Sequence, residues 1–212
     1  MIKRSKSAGL SDDLNISDEL IEIRTDRKIL DENDVNSILS IIITPADRLK
    51  TLFECVRDGR PRDFRKTISL MADQQRTDTI NTMRDGTYLL HEACRTGQDE
   101  IAIFLLFSDA NCFIADRREN YPQHYAAQSN KPVLIDILCV FGVDINLTDS
   151  DNNTPLHYAA MSNQPNAPKI LKILEEYHAD PRIKNSKNKT PIDLCEHNKM
   201  RKMLEAYAST YV

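Results

Sequence analysis

Histidine and cysteine are the residues of this chain whose types could do chemistry. A neutral imidazole nitrogen ligates divalent metals and moves protons near neutral pH, and a thiolate ligates or attacks. Three of the five histidines, His91, His124 and His157, stand 33 residues apart. A zinc ion holds its ligands at about 2.0–2.1 Å, whereas neighbouring helical layers pack about 8–10 Å apart. Residues separated by one repeat length sit on successive layers, so the period itself argues against a shared metal. His178 sits in a helix-ending position and His197 in a short link, and neither has an obvious acidic or thiol partner that would make it a catalytic pair. The five cysteines, Cys55, Cys94, Cys112, Cys139 and Cys195, are odd in number, scattered, and never in a C-x-x-C pair, which argues against a disulfide framework and a zinc site. No Gly-rich phosphate loop, nucleophile elbow or H-E-x-x-H pattern is present. The expectation is no catalytic residue, no cofactor, no metal, and no enzyme.

The elements that carry the histidines repeat with them. "YLLHEAC" at 88–94 becomes "YPQHYAA" at 121–127 and "TPLHYAA" at 154–160. Aligned on histidine, the units run 84–116, 117–149 and 150–185, the last with three extra residues at Pro165–Ala167. A shortened unit follows at 186–208, with "KTPIDLC" in place of the histidine motif, and a degenerate one precedes at 44–83, where Gly59 stands where Gly97 does. Thr154 and Thr190 precede proline at a helix start, where a hydroxyl caps free N–H groups and proline has none to lose. Small residues follow (Ala126, Ala127, Ala159, Ala160), allowing close approach of a neighbouring helix. Apolar residues then recur at helical spacing: Ile101, Phe104 and Leu105; Leu134, Ile137 and Leu138; Ile170, Ile173 and Leu174. Gly142 ends its helix where a left-handed residue is wanted, and Asp109 and His178 hold the equivalent place.

Each unit resembles the ankyrin repeat, over about four-fifths of the chain. "FGVDIN" at 141–146 and "YHADPR" at 177–182 match the end of that repeat. The resemblance implies an all-α ankyrin-repeat solenoid of about five helix-turn-helix units, with the histidines bonding locally to tie neighbouring turns together. Tyr88 and Tyr121 replace the capping threonine and Gln123 the buried leucine, so the units at 84–149 are expected to be less stable than regular ones, through sequence drift or through the shaping of a partner surface. Upstream, residues 1–30 mix a basic start, serines (Ser5, Ser7, Ser11) and an acidic stretch, and read as a disordered tail. Residues 31–43 read as a segment capping the array, and 209–212 as a C-terminal tail.

Composition narrows the function classes. The chain has 212 residues, 41% of them hydrophobic, enough for a core, and a formal net charge of -4, which gives no general attraction for nucleic acid. It has no apolar run of membrane-spanning length. A soluble, non-secreted protein of the cytoplasm and/or nucleus is expected, monomeric or in a hetero-complex.

For the resembled family, partner proteins are bound through turn tips and the concave face. The tips here are Arg84 and Asp85, Arg117, Arg118 and Asn120, Ser150, Asp151 and Asn153, and Lys187 and Lys189; the helix-end positions include Arg95, Gln128 and Met161. The stripe runs from basic (Arg117, Arg118) to acidic (Asp149, Asp151) and back to basic. The expected role is a protein–protein interaction module, an adaptor or scaffold, with a stoichiometric inhibitor of a transcription factor or kinase as the alternative. "STYV" at 209–212 also looks like a PDZ-domain ligand, which pairs as an added strand.

Overall fold

A computed structural model of the chain describes residues 44–211. The tail expected at 1–30 and the capping segment expected at 31–43 lie outside the described residues. Within them stand eleven helices and no strand, only an isolated bridge between Arg84 and Thr87. The helices are α1 (Pro45–Arg57), α2 (Pro61–Ser69), α3 (Asp73–Ile80), α4 (Leu89–Thr96), α5 (Asp99–Leu106), α6 (Pro122–Gln128), α7 (Pro132–Val140), α8 (Pro155–Met161), α9 (Ala167–Glu176), α10 (Pro191–Leu194) and α11 (Asn198–Thr210).

Five antiparallel pairs stack in chain order: α1 with α2, α4 with α5, α6 with α7, α8 with α9 and α10 with α11. The first helices α1, α4, α6, α8 and α10 form one row and the second helices the other, each touching the next of its row. One core cluster runs through the stack from Leu49 to Tyr207. The local reasons match the sequence. Six helices begin at proline, and Ala126, Ala127 and Ala159 are fully buried where helices of the first row meet. Asp109, Gly142 and His178 all have φ between 60° and 83°, the left-handed turn expected there.

Each periodic histidine is a neutral tie from a helix start to a later loop, within its own unit for His91 and His124 and into the next unit for His157. His91, His124 and His157 donate Nε2–H to the carbonyls of Ile114, Leu147 and Lys189, at 3.2, 3.0 and 3.1 Å. A carbonyl only accepts, so the proton is on Nε2 and Nδ1 is free to accept. In two units it does, from the N–H of Tyr121 at 3.0 Å and of Thr154 at 3.1 Å. Asp193 replaces the histidine in the last unit, and its carboxylate accepts from Thr190 N–H at 2.9 Å. Tyr121 thus loses only the hydroxyl cap, and its ring leans on His124 with centroids 6.0 Å apart.

A second tie lies on the opposite loops. The Asn81 side chain donates to Asp109 O and accepts from Asn111 N–H, and Asn146 does the same with His178 O and Asp180 N–H. Between them in the period stands Phe113, 60% exposed, which can do neither.

The structure departs from the sequence reading in three places. Gln123 is fully buried, so it shapes no partner surface; its Nε2–H donates to Asp144 O at 3.0 Å while Oε1 has no partner. The first unit carries an extra helix, α3, between its second helix and the tip at Arg84. The last helix runs through Ser209 and Thr210, past the boundary read at 208. Tyr207 is buried with its hydroxyl on Ala179 O at 2.6 Å, and Tyr211 lies under the Arg182 guanidinium at 4.7 Å. A strand-type PDZ ligand would require this turn to unwind.

Two outcomes follow. Burial pushes His91 down to about 4, and His124 and His157 are lowered for the same reason. The unfolded chain therefore binds more protons below about pH 6.5, and each pH unit further down costs about 1.4 kcal/mol per such histidine until its folded value is reached. Thermal melts between pH 7 and pH 5 should fall steadily; a flat profile contradicts neutral burial. Gln123→Leu removes the unpaired buried oxygen and gives up one hydrogen bond, to the carbonyl of Asp144, an exposed residue, so urea melts should show a gain of about 1 kcal/mol.

Candidate functional site

The turn tips are built on a repeated carboxylate or amide. Asp116 Oδ1 accepts the N–H groups of Arg118 and Asn120 at 2.8 and 3.0 Å, Asp149 those of Asp151 and Asn153, and Asn185 those of Lys187 and Lys189. Folding the side chain over its own turn in this way satisfies backbone donors that no helix or sheet serves. Asp116 and Asp149 are 7% and 5% exposed, and the hydroxyls of Tyr125 and Tyr158 donate to their other oxygens, both at 2.6 Å. Asp149 is therefore part of the framework, and the acidic charge of the stripe at that tip belongs to the exposed Asp151.

The unit at 84–116 departs from this plan in a coordinated way. Met83 stands where Asp116 and Asp149 do, and Glu92 where Tyr125 and Tyr158 do. Its tip is instead a tight turn with Asp85 at φ 52° and Gly86 at φ 87°, the two left-handed residues of the type I′ connection that Asp-Gly favours. Glu92, with its side chain 3% exposed, is clamped: Arg57 Nε donates to Oε1 at 2.7 Å, and Arg95 donates through Nε to Oε2 at 2.8 Å and through Nη2 to Oε1 at 2.7 Å. Burial pushes the Glu92 carboxyl up, but the hydrogen bonds from Arg95 and Arg57 outweigh it and hold the group below the usual carboxylate range. Burial and the bond to Asp116 push the Tyr125 phenol up, keeping it a donor.

The two tips and the helix ends between them enclose a cleft of about 460 Å³, lined by Asp85, Gly86, Thr87, Glu92, Arg95, Asp116, Arg117, Arg118 and Tyr125. Four of the residues expected at the binding surface, Asp85, Arg95, Arg117 and Arg118, meet here. Arg84 turns away: its Nη1 donates to Ala46 O at 3.3 Å and its Nε is 3.4 Å from Asp85. Asn120 and Asn153 are half-buried, and their side chains serve their own turns, Asn153 also accepting from Asn185 at 3.0 Å. Gln128, Ser150, Asp151, Met161, Lys187 and Lys189 are exposed on their own tips and helix ends, outside this cleft. Among the described residues no three histidine, cysteine, aspartate or glutamate side chains converge as a metal site, and no helix is long and apolar enough to cross a membrane.

Sequence reading missed Glu92, Arg57, Asp116 and Tyr125. A signal for Glu92 was present, since "HEAC" interrupts the "HYAA" of the next two units. Asp116, Asp149 and Asn185 also keep the repeat spacing.

Comparison with known families agrees with the geometry. The family model described as ankyrin repeats (3 copies) matches residues 90–185 and, overlapping, 123–206, together more than half of the chain. No curated protein matches the chain. Paired helices at a 33-residue period, histidines tied to the loops that lead into the next unit and this match together make the chain a member of the ankyrin-repeat family.

Proposed function

We propose that the chain is a non-enzymatic interaction module, an adaptor or scaffold, that binds a partner protein through its turn tips and the row of first helices. Ankyrin repeats are generally protein–protein interaction modules, which gives the coarse role. The observation that carries the finer reading is the cleft between the tips of the second and third units. Its framework groups are consumed internally, yet Arg117 and Arg118 stand exposed on a rigid backbone. Such a row loses little conformational entropy on docking, because its turns are already fixed by Asp116 and Asn185. An adaptor and a stoichiometric inhibitor would use the same surface and differ only in what the bound partner can still do. The proposed setting is the cytoplasm or nucleus, as a monomer or in a hetero-complex; five free, buried thiols support a reducing compartment.

Changing Arg117 and Arg118 together to Glu should leave circular dichroism and melting within about 0.5 kcal/mol of the parent. Against the physiological partner the loss should be at least about 2 kcal/mol. Crosslinking mass spectrometry of the native complex should place its crosslinks on the tips. Crosslinks confined to the second-helix row, with the double variant still binding, would overturn the reading.

A further inference from the structure

We propose that the cleft between the second and third tips is a carboxylate-recognition site, and that the partner enters it with an aspartate or glutamate of an acidic segment. This rests on the interaction role proposed above and adds the chemistry of what is recognised.

The lining contains three arginines and three acids, so its net charge does not reveal the specificity; what each charge is already bonded to does. Glu92 is saturated by Arg57 and Arg95. Asp116 accepts from two backbone N–H groups and from Tyr125. Asp85 lies 3.4 Å from Arg84, which stands outside the cleft. Arg117 and Arg118 have no ion-pair partner among the described residues, so theirs are the guanidiniums of the lining that no carboxylate of the fold engages.

Both are held in place through the backbone. The Arg117 N–H donates to Gly86 O at 2.9 Å, and the Arg118 N–H to Asp116 Oδ1 at 2.8 Å. The Arg117 stem runs along Gly86, where an added methyl would stand 3.2 Å from its Cβ and 3.3 Å from its Cδ. That glycine leaves room for the side chain and sets its direction across the cleft. A guanidinium so placed offers forked, charge-assisted donors to a planar carboxylate. The cleft already shows the geometry on its own floor, in the two guanidiniums that clamp Glu92.

The same floor selects among anions. A carboxylate brings one negative charge. A phosphate monoester brings about two, and would bring them close to Glu92 and Asp85. A nucleic acid strand would lay successive phosphates along a stripe that turns acidic at Asp151, against a chain of net charge -4. A single aspartate or glutamate side chain brings about half the charge of a phosphate monoester to that floor, so an acidic protein segment is the occupant that meets the free arginines with the least repulsion.

The test uses the full chain labelled with 15N and an unstructured peptide of alternating glutamate and glycine as the probe, beside its phosphoserine counterpart, a lysine counterpart and a single-stranded oligonucleotide. The glutamate peptide should shift the arginine side-chain Nε–H resonances of Arg117 and Arg118. R117Q/R118Q should weaken it about tenfold or more, with circular dichroism unchanged. Raising salt from about 50 to about 200 mM should weaken it several-fold. Tighter binding of the phosphoserine peptide or the oligonucleotide overturns the carboxylate assignment. Failure of the glutamate peptide to move these resonances overturns it as well, and native-complex crosslinks that still fall on the tips would then leave the interaction role standing without it.

Discussion

The hydrogen bond from a buried histidine Nε2–H to the carbonyl of a later loop, the one that leads into the next unit, is the constraint on which the rest of this structure depends. It asks for a neutral ring, a fixed tautomer and a loop held within reach of the helix start, and the other regularities serve those demands. The alanines after the histidine let first helices approach closely enough for the bond to reach. The backbone N–H of Tyr121 or Thr154 donates to Nδ1, which fixes the tautomer. Rings of the following unit close over the site, with Tyr125 against His91 and Tyr158 against His124 at 6.1 Å. Those tyrosines in turn hold the turn carboxylates Asp116 and Asp149. One chain of contacts thus runs from core to tip, and the tip stands still because the core does.

The fold was legible because the repeat writes its constraints into single residues at fixed spacing. Left-handed turns show as Gly142 and, with its registry known, as Asp109 and His178; helix starts show as proline. The elements that escaped are those outside the period. The helix α3 has no counterpart in the other units, and its sequence, Asp73–Ile80, lacks a strong apolar face. The burial of Gln123 follows from position, but its bond to Asp144 O is a relation between two units that no local pattern reveals. The extension of α11 depends on Tyr207 finding Ala179, 28 residues away.

The candidate site was legible in its residues and illegible in its state. Sequence spacing puts Arg95, Arg117 and Arg118 on neighbouring tips and helix ends. It cannot tell which charges are spent: Arg95 is tied to Glu92, and Arg84 leaves for Ala46 O, while Arg117 and Arg118 stay free of such ties. An arginine neutralised inside the fold supports the wall, and only one left over faces a partner. That distinction lies in side-chain partners, which tertiary packing decides.

Phe113 carries a consequence of another kind. A repeat array behaves as a row of units coupled to nearest neighbours, so its cooperativity is no stronger than its weakest junction. Asparagine bridges sew the loop edge between the first and second units and between the third and fourth, and Phe113 leaves the junction of the second and third without one. That junction is also the one the cleft spans. There the loop edge is joined by rings and charge instead, Phe107 edge-on to Phe141 at 5.6 Å and Lys131 to Asp99, so a partner that grips both tips acts as a clasp that adds to the coupling of two halves already joined by side chains of another kind.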